Sequence, residues 1–173
     1  MCHYITATIP RAADTSRFRK LVEKHGLAFE PISNSAVEEL LRPGEAYFHA
    51  TREYCDCGTS LVRSRSPSDA RSRKVQQFRR RGWSEAKIER WLQSTTPGAK
   101  DHGTGPTQGE WQAFIVDVLA AGVPYVGLLV HWYRGSLSDE PIAIKRRVAA
   151  QPTSLPLADG LDEDMLYCFA LDR

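Results

Sequence analysis

The run Tyr125-Val-Gly-Leu-Leu-Val-His-Trp-Tyr133 constrains this chain more than any other segment. It is the longest apolar stretch in the sequence. It falls far short of the ~20 residues a membrane span requires and has the length of a buried strand. A buried strand needs paired edges and covered faces, and the neighbouring sequence offers both. Immediately before it, Thr107-Gln-Gly-Glu110 forms a capping box, in which the threonine hydroxyl accepts from the amide three residues on and the glutamate reaches back. Trp111, Phe114, Ile115, Val118 and Leu119 then fall on one helical stripe, and Gly122 closes the helix.

Further strands are predicted around it. His3, Ile5, Ala7 and Ile9 alternate in the strand period until Pro10 ends the run. Leu27–Ile32 reads as a short edge strand, since it contains a proline. Ala46–Thr51 is a third candidate, and Met165–Leu171 is the last. Ile142–Val148 follows 125–133 after a turn at 135–139, so the two are expected to form an antiparallel hairpin. Between the first strands, Asp14-Thr-Ser16 offers caps for a helix through His25 that stops at Gly26, and Asn34 or Ser35 caps a short helix. The pattern predicts an α+β fold: an antiparallel or mixed sheet of about five to six strands with helices packed on it.

One segment departs from this pattern. Residues 62–106 open with a Ser/Arg-rich linker and close with a Gly/Pro-rich one. Between Leu61 and Pro106 there are eleven Lys/Arg against four Asp/Glu, although the whole chain carries only +2. Residues 70–93 read as a helical hairpin broken at Gly82, with Ser84 capping the second arm. We therefore expect one domain over 1–173, with 62–106 as a basic, partly flexible helical insertion. Arg71, Arg73, Lys74, Arg79, Arg80 and Arg81 concentrate on the first arm and its lead-in, a distribution suited to the phosphates of a nucleic acid or to an acidic protein surface. Glu85 and Glu89 on the second arm oppose base readout.

Chemistry is concentrated in the thiols. "CDCG" places Cys55 and Cys57 one residue apart, Cys2 is followed by His3, and Cys168 stands alone. Thiolate and imidazole are zinc ligands, so Cys2, His3, Cys55 and Cys57 form a candidate zinc set, with Cys168 as an alternative fourth donor. The single residue between the two cysteines is shorter than the usual two to four. Adjacent Cys2 and His3 also point to opposite faces of a regular strand. A second reading is nucleophilic: removal of Met1 would leave Cys2 with its own α-amine as base, and His49 or Arg52 is placed to lower a thiol. That arrangement resembles the N-terminal nucleophile amidohydrolases, although His3 stands where those enzymes carry glycine. The third reading, which suits Cys168 between Tyr167 and Phe169, is that of buried, unreactive thiols.

The opening residues lack a basic n-region and an apolar h-region, and a thiol at position 2 argues against export, so a reducing cytoplasm is expected. His131 is read as a hydrogen-bonded core residue, and Asp159, Asp162, Glu163 and Asp164 as a solvated acidic loop. No P-loop, dinucleotide-binding, nucleophile-elbow or zincin motif occurs. The combined expectation is a small cytoplasmic binding or regulatory module with a cysteine-rich zinc structural site and a basic helical contact surface. Its alternatives are a thiol-dependent enzyme using Cys2 and His49, and a nucleic-acid-binding protein acting through the hairpin.

Overall fold

The computed structural model describes residues 2–53, 55–57, 59–62, 75–94, 105–155 and 160–171. The chain divides into two compact units, Met1–Arg63 with Gly103–Arg173, and Ser64–His102.

The first unit is α+β, built on a six-stranded mixed sheet. Its strands are β1 (Cys2–Pro10), β2 (Glu30–Pro31), β3 (Glu45–His49), β4 (Val126–Tyr133), β5 (Arg146–Ala150) and β6 (Met165–Phe169), in the spatial order β2-β3-β1-β4-β6-β5. The apolar run predicted as a buried strand is β4, flanked by β1 and β6, both antiparallel to it. β5 lies at the edge, parallel to β6.

The expected hairpin between 125–133 and 142–148 does not form, because β6 takes the place beside β4. The alternation of Ile142 and Ile144 that suggests a strand has a different cause. Both side chains dock into the apolar cluster on one face of the sheet, while the backbone joins a ladder only from Arg146 onward.

Alternation places two cores on the two faces of the sheet. On one face, Ile5, Ala7, Phe48, Leu128 and Val130 pack with residues of two helices, α1 (Ser16–Lys24) and α5 (Gln108–Ala120). α1 starts where Thr15 accepts from the Phe18 amide and ends before Gly26, whose φ of +70° releases the chain at no steric cost. α5 carries the full capping box at Thr107 and Glu110. Its Trp111, Phe114 and Ile115 are completely buried. On the other face, Tyr47, Leu129, Tyr133 and Leu166 are covered by Val37 of α2 (Ser35–Glu38) and by Leu137 and Ile142 of the loop after β4. Asn34 caps α2 through the Val37 amide and ties that loop down by donating to Leu137 O and Glu140 O at 2.9 Å.

A buried ion pair crosses the sheet on this second face. Glu45 is 5% exposed and accepts from Arg147, from the Tyr125 hydroxyl and from the Arg42 amide, at 2.7–2.9 Å. Burial pushes its carboxyl up, but the bonds from Arg147, Arg42 and Tyr125 outweigh this and hold it below its ordinary value near 4.5. Because the folded value is depressed, this stabilisation is complete above the unfolded value and is lost as pH falls through the folded one. Glu45→Gln is expected to lower stability at neutral pH by about 1–2 kcal/mol and to flatten the acid limb of a urea-denaturation series taken from neutrality to about pH 3.

The second unit contains helix α3 (75–80) and helix α4 (Glu85–Ser94). Phe78 stacks flat on Trp83 with ring centroids 4.1 Å apart and meets Trp91 edge-on at 4.9 Å, giving the hairpin a small aromatic core of its own. Gly82, at φ +74°, makes the turn. Among the described residues, no helix is long and apolar enough to cross a membrane.

Candidate metal centre

The site arises from a mismatch in strand pairing. β4 pairs with β1 from Cys2 to Thr8, but β3 pairs with it only from Thr6 to Pro10. The first residues of β1 therefore lack a strand on one edge, and their buried polar groups need other partners. The loop that follows β3 supplies them. Ala50 N donates to Ile5 O at 3.0 Å and Asp56 N donates to His3 O at 2.9 Å. Ile5 N donates to Asp56 Oδ2 at 2.8 Å, and His3 N donates to Cys57 Sγ at 3.1 Å. A side-chain carboxylate and a sulfur thus stand in for the missing strand.

Asp56 is the hub of this loop. It is fully buried, and Thr51 Oγ1 donates to its Oδ2 at 3.0 Å. Its own carbonyl accepts from both the amide and the hydroxyl of Thr59. Oδ1 is buried without a hydrogen-bond partner. Burial is the main reason that its carboxyl is pushed up to about 6, against the two donors that favour the anion. Farther along, Leu61 and Val62 enter the core, and Gln108 Nε2 at the start of α5 donates to Ser60 O.

With Asp56 turned inward, the flanking cysteines face the start of β1. The sulfurs of Cys2, Cys55 and Cys57 lie within 4.8 Å of one another. Cys2 and Cys55 are half-buried and Cys57 is exposed. Tetrahedral zinc with sulfurs at about 2.3 Å holds them about 3.8 Å apart, so a small contraction closes the three around one ion. The Cys57 amide points at Cys55 Sγ from 3.5 Å, a second backbone N–H directed at sulfur.

The three thiols share charge. The hydrogen bond with Cys55 raises Cys2, with burial adding to the effect. Cys57 is pushed up to about 11 by burial and then by Cys55. Burial also opposes ionisation of Cys55, but hydrogen bonds from Cys57 and Cys2 prevail and bring it below its ordinary value. Of the three, Cys55 is the one whose ionisation the neighbouring thiols favour. A cation that binds all three must displace protons.

No family model matches this chain, and searches of curated proteins and of solved structures find no match either. The site must be interpreted from its own chemistry.

The other residues singled out in the sequence are placed as follows. His3 has its imidazole elsewhere: Nε2 lies 2.6 Å from Glu163 Oε1, and the ring meets Trp132 edge-on at 4.5 Å. Cys168 pairs with Gly127 across the β4–β6 ladder, whereas Cys2 pairs with Tyr133. Six residues of β4 separate these positions, roughly 20 Å of strand. His49 Nε2 lies 3.2 Å from Thr51 Oγ1 and 4.0 Å from Asp56 Oδ2, and burial pulls its pKa down. Its ring packs on Tyr4 rather than on Cys2. Arg79 is clamped by Glu85 through two bonds of 2.8 and 3.0 Å, while Arg80 and Arg81 are exposed. Arg71, Arg73 and Lys74 lie outside the described residues, as does Met1.

Two features are not anticipated by the sequence. Asp56 reads there only as a spacer between two thiols. The acidic loop is also not simply solvated. Glu163 holds His3, and Asp164, at a φ of +64°, pairs with His131 Nδ1 at 2.5 Å and with Lys145 Nζ at 2.7 Å. An alternating strand with one histidine, followed by a carboxylate about thirty positions on, carries no periodic signal that such a pair will meet.

Proposed function

We propose that this chain is a metal-binding module in which Cys2, Cys55 and Cys57 hold one zinc ion, pinning the start of β1 to the loop after β3. The observation that carries this reading is the meeting of three sulfurs from two distant segments, Cys2 at the start of β1 and Cys55 and Cys57 in the loop after β3, with backbone amides already donating to two of them. Amide donors of this kind offset the charge of metal-bound thiolates. Thiolate ligands select zinc, monovalent copper or iron–sulfur clusters, and a compact three-sulfur group suits a single ion. The test is metal analysis of the purified chain. We expect about one zinc per chain, falling below about a tenth in Cys55→Ser. Equal metal content in the two proteins would exclude the site.

The second unit supplies the contact surface in this reading. Arg80 and Arg81 are exposed on a hairpin that has its own aromatic core, so they are presented by a folded element. The chemistry fits the phosphates of a nucleic acid better than base edges. Binding to mixed single-stranded RNA should weaken with log salt at a slope of about −0.7 per phosphate contacted. Arg80→Ser with Arg81→Ser should flatten that slope by one to two contacts. A response independent of salt would remove phosphate contact as the source of any affinity.

A further inference from the structure

Three sulfur donors leave a tetrahedral ion one ligand short, and the surrounding residues do not complete the set. The imidazole of His3 is engaged by Glu163 and Trp132, Cys168 lies across the sheet beside Gly127, and the Asp56 carboxylate is turned to Ile5 and Thr51. Among the described residues, no fourth histidine, cysteine or carboxylate joins the group. Cys57, the most exposed of the three, leaves the cluster open to solvent. Closed structural zinc sites have four protein ligands, whereas a site with three keeps a position for an exchangeable one.

We infer that this fourth position accepts the sulfur of a low-molecular-weight thiol. The inference rests on the metal site proposed above and names the ligand class that completes it. Three thiolates make the ion soft, and a soft donor is preferred over a carboxylate or phosphate oxygen. Four thiolates on one zinc form a standard set, provided that donors offset their charge. Here His3 N and Cys57 N already point at sulfur, so the loop is built to carry anionic sulfur. Binding breaks the bond between metal and solvent oxygen, forms a metal–sulfur bond and releases the thiol proton to solvent. Nothing is oxidised or reduced. The exposed side of Cys57 gives a small thiol an approach that does not require the loop to open.

Cobalt(II) reports this directly, because sulfur-to-cobalt charge-transfer absorbance scales with the number of Co–S bonds. The full chain, stripped of metal and kept anaerobic with a phosphine reductant, is loaded with one equivalent of cobalt and titrated with 2-mercaptoethanol. We expect a three-sulfur spectrum whose charge-transfer intensity rises by about one third and saturates at one thiol per cobalt. Ethylene glycol should leave the spectrum unchanged, and Cys168→Ser should respond as the parent does. An unchanged spectrum at millimolar thiol would overturn the inference while leaving the three-cysteine site standing. So would a four-sulfur spectrum before any thiol is added, loss of cobalt from the protein fraction, or loss of the response in Cys168→Ser. Absence of Co–S bands altogether would overturn the metal site as well.

Discussion

Zinc returned to the metal-stripped protein is expected to raise its thermal midpoint by about 10 °C. The reasoning starts from linkage: an ion bound only by the folded chain stabilises it by about 4 kcal/mol when its free concentration is a thousand times the dissociation constant. For a chain of this length, each kcal/mol shifts the midpoint by about 2–4 °C. An ion held by Cys2, Cys55 and Cys57 would act on the part of β1 that β3 leaves uncovered. The gain should disappear in Cys55→Ser, and differential scanning calorimetry of both proteins with and without chelator measures it. If both unfold at the same temperature whether or not chelator is present, the ion is not part of the folded state.

The second large effect is expected at Asp56. Asp56→Ala removes the acceptor of Ile5 N and of the Thr51 hydroxyl inside a site with no access to water. Leaving such donors unmet costs about 1–3 kcal/mol each, partly offset because the buried carboxylate was itself costly to desolvate. A net loss of about 3 kcal/mol is expected, with zinc affinity falling as the loop loosens. Asp56→Asn is the informative contrast. Its amide oxygen keeps both bonds, but its NH2 is buried where Oδ1 has no partner, a cost that removal of the buried carboxylate's desolvation offsets in part. It should therefore lose less than Asp56→Ala, about 1–2 kcal/mol. Urea denaturation separates the two, and equal losses would show that charge, not hydrogen bonding, holds the loop.

These two predictions differ in how far the sequence anticipates them. The thiols are legible because cysteine chemistry does not depend on the surroundings, so Cys2, Cys55 and Cys57 stand out from residue type alone. The strands and helices are legible for a related reason. The alternation of Ile5, Ala7 and Ile9 and the stripe from Trp111 to Leu119 are local patterns with one burial solution each. Order across the sheet is not legible. Nothing local says that β6 rather than β5 lies beside β4, since Ile142 and Ile144 alternate as a strand would and yet serve as loop anchors. The role of Asp56 is hidden for the same kind of reason. It is set by β3 ending its pairing at Thr6, four residues short of the start of β1. That is a property of two segments together and leaves no mark in either. The His3 ring is held by Glu163, a residue 160 positions away whose hold no local pattern announces.

The position of β1 has a consequence for the order of assembly. Synthesis runs from β1 towards β4, and the partner strand begins only at Val126. In the interval between them, the ladder partner made for β1 is β3, extended by the loop behind it. Every donor of the three-sulfur cluster, together with the Asp56 anchor, lies ahead of the basic hairpin and of β4 in the chain. An ion captured at that stage would hold a nascent hairpin in register while the remainder of the sheet is still being made, serving as a rivet set before the last plank is laid.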